Sequence, residues 1–199
     1  MIVKPSAENL LASVQAAKAG KDGGAPVHLW NPPYCGEIDI RIARDGTWFH
    51  DGTPIGRIGL VKLFSSILKR EDGLKREDGR FFLVTPVEKV GIVVEDAPFV
   101  AVDFDVAGAG PEQVITFRTQ VDDRVAAGPD HPIRVARDAV TGEPSPYVMV
   151  RAGLEALIDR KSFYRLADLG VQARHSGDDW FGFWSGGQFF PAIPASEMP

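Results

Sequence analysis

The chain has 199 residues, enough for one sizeable core or two small ones without disulfides. Its 22 lysines and arginines against 27 aspartates and glutamates give a net charge of −5, which argues against a general DNA or RNA binder. A single cysteine excludes an internal disulfide framework and a cysteine-based zinc site, while 44% hydrophobic and 25% charged residues is ordinary globular composition.

The opening MIVKPSAENLLASVQAAKAG is too polar for a signal segment. No stretch approaches the roughly 18–20 apolar residues of a spanning helix, so the cytoplasm is the expected address and no membrane partner is expected. Residues 6–19 read as an amphipathic helix, with Ser6 as N-cap, Leu10, Leu11, Val14 and Ala17 at helical spacing and Gly20 as the stop. KDGGAP (21–26) follows as a joint. Ile38, Ile40 and Ile42 alternate with polar residues and predict a strand over 37–43. Asp45-Gly46 then predicts a two-residue type I′ turn into a second strand, 47–51. Leu60, Val61, Phe64, Ile67 and Leu68 predict a helix over 57–70, and RFFLVTP (80–86) a strand closed by Pro86.

Beyond Pro86 the pattern is strand-rich, with strands expected at 90–94, 99–106, 114–120, 132–138 and 147–151. In the second of these, Val100, Val102, Phe104 and Val106 predict one buried face opposite one acidic face. Asp159 is the expected cap of a second helix that ends at Gly170, and an aromatic segment, DWFGFWSGGQFFPAIP, closes the chain.

Two repeats stand out. LKREDGLKREDG (68–79) is a tandem hexamer whose polarity fits a solvated connection. IRIARD (40–45) returns as IRVARD (133–138), Arg57 with its LVKLF resembles Arg160 with its FYRLA, and DGRFFLV is matched by DDWFGFW. The order strand, strand, helix, strand therefore occurs twice, and the fold expected is α+β with two duplicated units. Boundaries are placed at 1–24 (helix and joint), 25–86 (first domain) and 87–199 (second, strand-rich domain).

HLWNPPYCGEIDIRIARDGTWFHDGTPIGRIGLVKLF, followed by FFLVTPVEKVGI and EDAPFVAVD, resembles the bacterial domain-of-unknown-function family 1285 over roughly residues 28–191. The resemblance rests on the CG-x-ID strand, the DG-x-W hairpin, the G-x-PIGR turn and the TPVEK segment occurring together. It implies two domains with duplicated cores, the C-terminal one superficially like a pleckstrin-homology antiparallel barrel. It also implies a nucleotide-like ligand held between the domains, in signal transduction.

The residues themselves offer one constellation on the first hairpin. A two-residue turn at Asp45-Gly46 would pair Arg41 with His50 and Ile42 with Phe49, collecting Arg41, Trp48, His50 and Asp39 on the face away from the core. An arginine, an imidazole and an indole there would stack a base and hold a phosphate. Arg57, at a helix start, would add a phosphate contact. The competing reading is an Asp39–Arg41 ion pair with Trp48 as filler. Glu88 and Lys89, in TPVEK, would line a cleft or form a surface pair. Arg134 and Arg160 are the repeat counterparts of Arg41 and Arg57, and the His50 position becomes Met149.

Other chemistry is thin. Cys35 reads as an inert thiol beside a glycine, and His28, His50, His131 and His175 lack metal-ligand spacing. No nucleotide-binding glycine motif or catalytic serine motif occurs, so neither cofactor nor metal is expected. Trp180, Phe181, Phe183 and Trp184 fit either a stacking platform or a core strand. The function expected is non-catalytic binding of a nucleotide-like anionic small molecule. An enzyme using His50 as acid/base and a protein-interaction module are the alternatives.

Overall fold

A computed structural model describes residues 8, 10, 12, 13, 25–72 and 79–198. Of the expected N-terminal helix, Glu8, Leu10, Ala12 and Ser13 are helical and Leu10 is fully buried; the rest lies outside the described residues, as does most of the second LKREDG copy. The chain forms two compact units that meet in sequence at Asp96/Ala97. It is mostly sheet, with two α-helices among the elements described from end to end. No described helix is long and apolar enough to cross a membrane.

The first unit carries strands β1 (Tyr34–Ile42), β2 (Trp48–His50), β3 (Thr53–Pro54), β4 (Leu68–Glu71), β5 (Arg80–Val84) and β6 (Lys89–Val94), with helix α1 (Ile58–Ser66) between β3 and β4. They make one sheet in the order β3-β2-β1-β6-β5-β4. β6 lies past Pro86 yet is hydrogen-bonded between β1 and β5, which is why this unit runs through Asp96. Ile38, Ile40 and Ile42 are buried as their alternation required, and Val61, Leu63 and Phe64 of α1 form the opposing layer. The helix is shorter than periodicity predicted. Ser65 and Ser66 donate hydroxyl hydrogen bonds back to the Lys62 and Leu63 carbonyls at 2.9 and 2.7 Å, and Leu68–Glu71 then pair with β5 as an edge strand. The first LKREDG copy is thus partly strand rather than connection.

The second unit carries β7 (Phe99–Ala107), β8 (Val114–Thr119), β9 (Arg124–Ala126), β10 (Ile133–Arg137), β11 (Pro144–Arg151) and β12 (Leu154–Ile158), in the order β10-β11-β12-β7-β8-β9. Helix α2 (Arg160–Ala167) follows and packs on β7, and β13 (Val171–His175), β14 (Asp178–Ser185) and β15 (Gln188–Pro194) form a separate three-stranded antiparallel sheet. The strict alternation expected for β7 fails. Phe99, Val100 and Ala101 are all buried because β7 is a central strand covered on both faces, a bulge follows between Ala101 and Asp103, and Val106 is 40% exposed. β12 went unpredicted, although Ala152 and Gly153, both at positive φ, form the kind of two-residue turn that joins hairpin strands.

Both six-stranded sheets are wired alike. Three strands run out from the centre, three return, and the two central strands are parallel (β1 with β6, β7 with β12) while every other pair is antiparallel. The sequence repeat aligns differently: IRIARD lies in central β1, IRVARD in edge strand β10. What the repeat tracks is a local unit, a three-strand meander followed by a helix, that joins its sheet through opposite edges in the two copies.

Candidate functional site

Two Asp-Gly pairs sit within eight residues, 45–52, and they make different turns. At the first, Gly46 donates to the Ala43 carbonyl at 2.9 Å, Ala43 donates to the Thr47 carbonyl at 2.9 Å, and Gly46 has φ +84. That is a three-residue loop with a glycine bulge. Hydrogen bonds from Thr47 hold the Asp45 carboxyl below its ordinary value. The second pair, Asp51-Gly52, has both φ values positive and forms the two-residue turn between His50 and Thr53.

The bulge moves the register by one residue from that expected, and the candidate face changes with it. Ile42 faces Trp48, Arg41 faces Phe49, and Ile40 faces His50. Trp48 therefore points into the core, 1% exposed and stacked on Phe64 of α1 with ring centroids 6.3 Å apart. It offers no indole to a ligand, and the expected grouping of Trp48, Arg41 and His50 on one outer face is corrected accordingly. Arg41 does lie outward. Its guanidinium sits 4.2 Å from the Phe49 ring centre and is ion-paired with Glu95. His50 is at the other side of the hairpin, with Nε2 3.7 Å from the Asp51 carboxylate.

Lys89 likewise has internal partners. Nζ lies 3.0 Å from both carboxylate oxygens of Glu71 and 4.9 Å from the Phe82 ring centre. Burial opposes ionisation of Glu71, yet hydrogen bonds and charge from Lys89 and Lys69 outweigh it and hold the carboxyl below its usual value. Glu88 does not pair with its neighbour. Its backbone N–H donates to the Thr85 hydroxyl at 3.2 Å, and burial pushes its carboxyl up, with a Ser13 hydrogen bond acting the other way.

In the second unit Arg134 forms a bidentate pair with Glu155, at 2.8 and 2.6 Å, and stacks 4.1 Å from the Tyr147 ring centre. Arg41/Phe49/Glu95 and Arg134/Tyr147/Glu155 are the same arrangement made twice: an arginine laid on its cross-strand aromatic neighbour and tied to a glutamate. The IRxARD repeat signals it, but the glutamates lie too far along the chain to be matched by pattern. Arg160 leans on Tyr164, its Nε and Nη2 3.3 and 3.2 Å from the hydroxyl.

Arg57 differs from all of these. It is exposed, and among the described residues it has no acidic partner. It is the N-cap of α1, where its carbonyl accepts from Leu60 and Val61 at 2.9 and 3.2 Å, but no side chain caps the helix and the first turn holds no acid. The Ile58 and Gly59 amides precede the first helical bond and so have no intrahelical acceptor. A Cβ added at Gly56 or at Gly59 would meet open space. The counterpart α2 is closed instead: Asp159 Oδ1 accepts from the Ser162 N–H at 2.7 Å. One helix start holds its own carboxylate; the other presents a cation and free amides.

The sequence pattern described as "Domain of unknown function (DUF1285), N-terminal domain" matches residues 25–97. "Protein of unknown function (DUF1285), C-terminal domain" matches residues 98–192. The chain is similar to a DUF1285 family protein of solved structure from Silicibacter pomeroyi DSS-3, at 64% identity and TM-score 0.82 over 94% of this chain and 96% of that one. A DUF1285 family protein from Shewanella baltica OS155 is 30% identical, with TM-score 0.49 over 65% of this chain and 90% of its own. No curated protein matches the sequence.

Proposed function

The chain belongs to the DUF1285 family, and from that premise and the placement of its cations we propose that it binds a nucleotide-like anionic small molecule without turning it over. The observation that carries the reading is Arg57, an exposed arginine at an uncapped helix start, where the ligand's phosphate would replace the carboxylate that Asp159 supplies to α2. Free first-turn amides and the helix dipole favour an anion there, and the glycines at 56 and 59 leave room for backbone approach. Thr53, paired with His50 across the Asp51-Gly52 turn, is the nearest further polar residue along the chain. Arg41, Lys89 and Arg134 are held by glutamates and act as structural cations in this reading; so does Arg160, on its tyrosine. A pleckstrin-homology-like second unit in a signalling role belongs to the same proposal, supported by its antiparallel meanders and following helix.

Calorimetry against mono- and dinucleotides, with orthophosphate as reference, tests it. Arg57→Ala weakens binding by about 1.5–3 kcal/mol, the range for a hydrogen bond to a charged group, with little change in stability. Arg41→Ala lowers stability and leaves affinity unchanged. Absence of any anion binding, or full affinity in the Arg57→Ala protein, overturns the reading.

A further inference from the structure

We propose that two copies of this chain associate through β13, edge to edge and antiparallel about Ala173, so that the three-stranded sheets join into one of six. This rests on the C-terminal sheet alone and is independent of the ligand reading.

β13 is an edge strand of five residues with no proline and an unbroken register against β14. Among the remaining outer strands, β3 has two residues, β9 three and β4 four; β10 is approached by β15, and β15 carries Pro191 and Pro194. Natural edges are commonly blunted by such shortness, cover or proline. Val171, Gln172 and Arg174 are exposed, and Ala173 and His175 half-exposed.

Its free hydrogen-bonding groups follow from the turn. Ser176 and Gly177, at φ +54 and +99, form a two-residue loop, which makes His175 and Asp178 the closing hydrogen-bonded pair. By alternation Ala173 and Val171 also bond inward to β14, and the N–H and C=O groups of Gln172 and Arg174 point outward. Outside that ladder, the described residues provide no hydrogen bond for either.

The occupant is indicated by self-complementarity. A two-fold axis at Ala173 sets Gln172 opposite Arg174 of the second copy, each exchanging both outward main-chain bonds, four in all. The side chains then match an amide oxygen to a guanidinium, and no like charges meet. Ala173 meets its own copy at a non-hydrogen-bonded position, where side chains come closest and a small residue is needed. Ala173 is the cross-strand neighbour of half-buried Trp180, so the join makes a continuous apolar strip, Trp180–Ala173 against its symmetry mate. Val171, 44% exposed in the single chain, comes to lie beside His175 of the other copy.

Sedimentation velocity over a concentration series is the test, the single chain having a mass of 21.6 kDa. A reversible monomer–dimer equilibrium is expected. Gln172→Pro removes only an outward N–H and abolishes the dimer while the monomer melts as before. Gln172→Glu, placed against Arg174, tightens the dimer by roughly two- to fivefold at each of the two symmetric pairs, and Gln172→Lys loosens it by a similar factor. The two charge variants decide the matter even if the proline variant folds poorly. A chain that stays monomeric to its solubility limit overturns the proposal. So does a dimer indifferent to all three substitutions, or one that Glu and Lys move in the same direction.

Discussion

Replacing Arg134 by Met separates charge from packing in the second unit. Glu155 is only 7% exposed, and Arg134 gives it two hydrogen bonds, at 2.8 and 2.6 Å. Breaking a fully buried pair by removing one partner costs about 3–5 kcal/mol, because the survivor is left charged and unpaired. Here the arginine side chain is 37% exposed, so water reaches the pair, and we expect about 2 kcal/mol at pH 7. For a chain of 199 residues that is a fall in Tm of about 4–8 °C. Thermal melts of wild type, Arg134→Met and the double variant Arg134→Met/Glu155→Leu at pH 7 read the loss. The double variant recovers most of the loss, since an apolar pair of similar volume removes the stranded carboxylate. A single-variant deficit with no recovery in the double variant would show that stacking on Tyr147 is what matters and refute the electrostatic argument.

Asp159→Ala removes the hydrogen bond to the Ser162 N–H and is expected to cost about 1 kcal/mol, measurable by urea denaturation and absent in Asp159→Asn. Gly182→Ala would bring a Cβ within 2.2 Å of the Phe190 carbonyl oxygen, a backbone atom, so a loss of about 1–3 kcal/mol or failure of the C-terminal sheet is expected, seen in near-ultraviolet dichroism. Glu88→Gln stabilises at pH 7 and has no effect near pH 4. Burial holds the folded carboxyl above its ordinary value, so ionisation costs stability only as pH rises through that raised value; melts at the two pH values check the sign.

Local rules read the first sheet well where burial is one-sided. Ile38, Ile40 and Ile42 announced β1, and Asp159 announced the start of α2. They failed at Asp45-Gly46, which makes a bulged loop, whereas Asp51-Gly52, of identical turn chemistry, makes the tight turn. The choice between a bulged loop and a tight turn falls to whichever register buries Trp48 against Phe64, a contact between a strand and a helix. A one-residue slip was enough to move the indole from the proposed site into the core. Charge partners were illegible for a related reason: Glu95, Glu71 and Glu155 are brought to Arg41, Lys89 and Arg134 by strand order, not by spacing. Arg57 remained a candidate because its setting, a glycine-flanked arginine before an apolar helix, is written in contiguous residues.

The parallel central pair in each six-stranded sheet bears on how the units fold. Each half of the sheet is an antiparallel meander of sequence neighbours, and such contacts form quickly because little loop entropy is lost. The seam between β1 and β6, or between β7 and β12, must bring Glu37 to Gly91, or Phe99 to Ala156, across almost the whole length of chain that makes each six-stranded sheet. Each six-stranded sheet therefore has its longest loop closure at its middle, and the joining of two preformed halves is the step expected to set the pace at which that sheet becomes native.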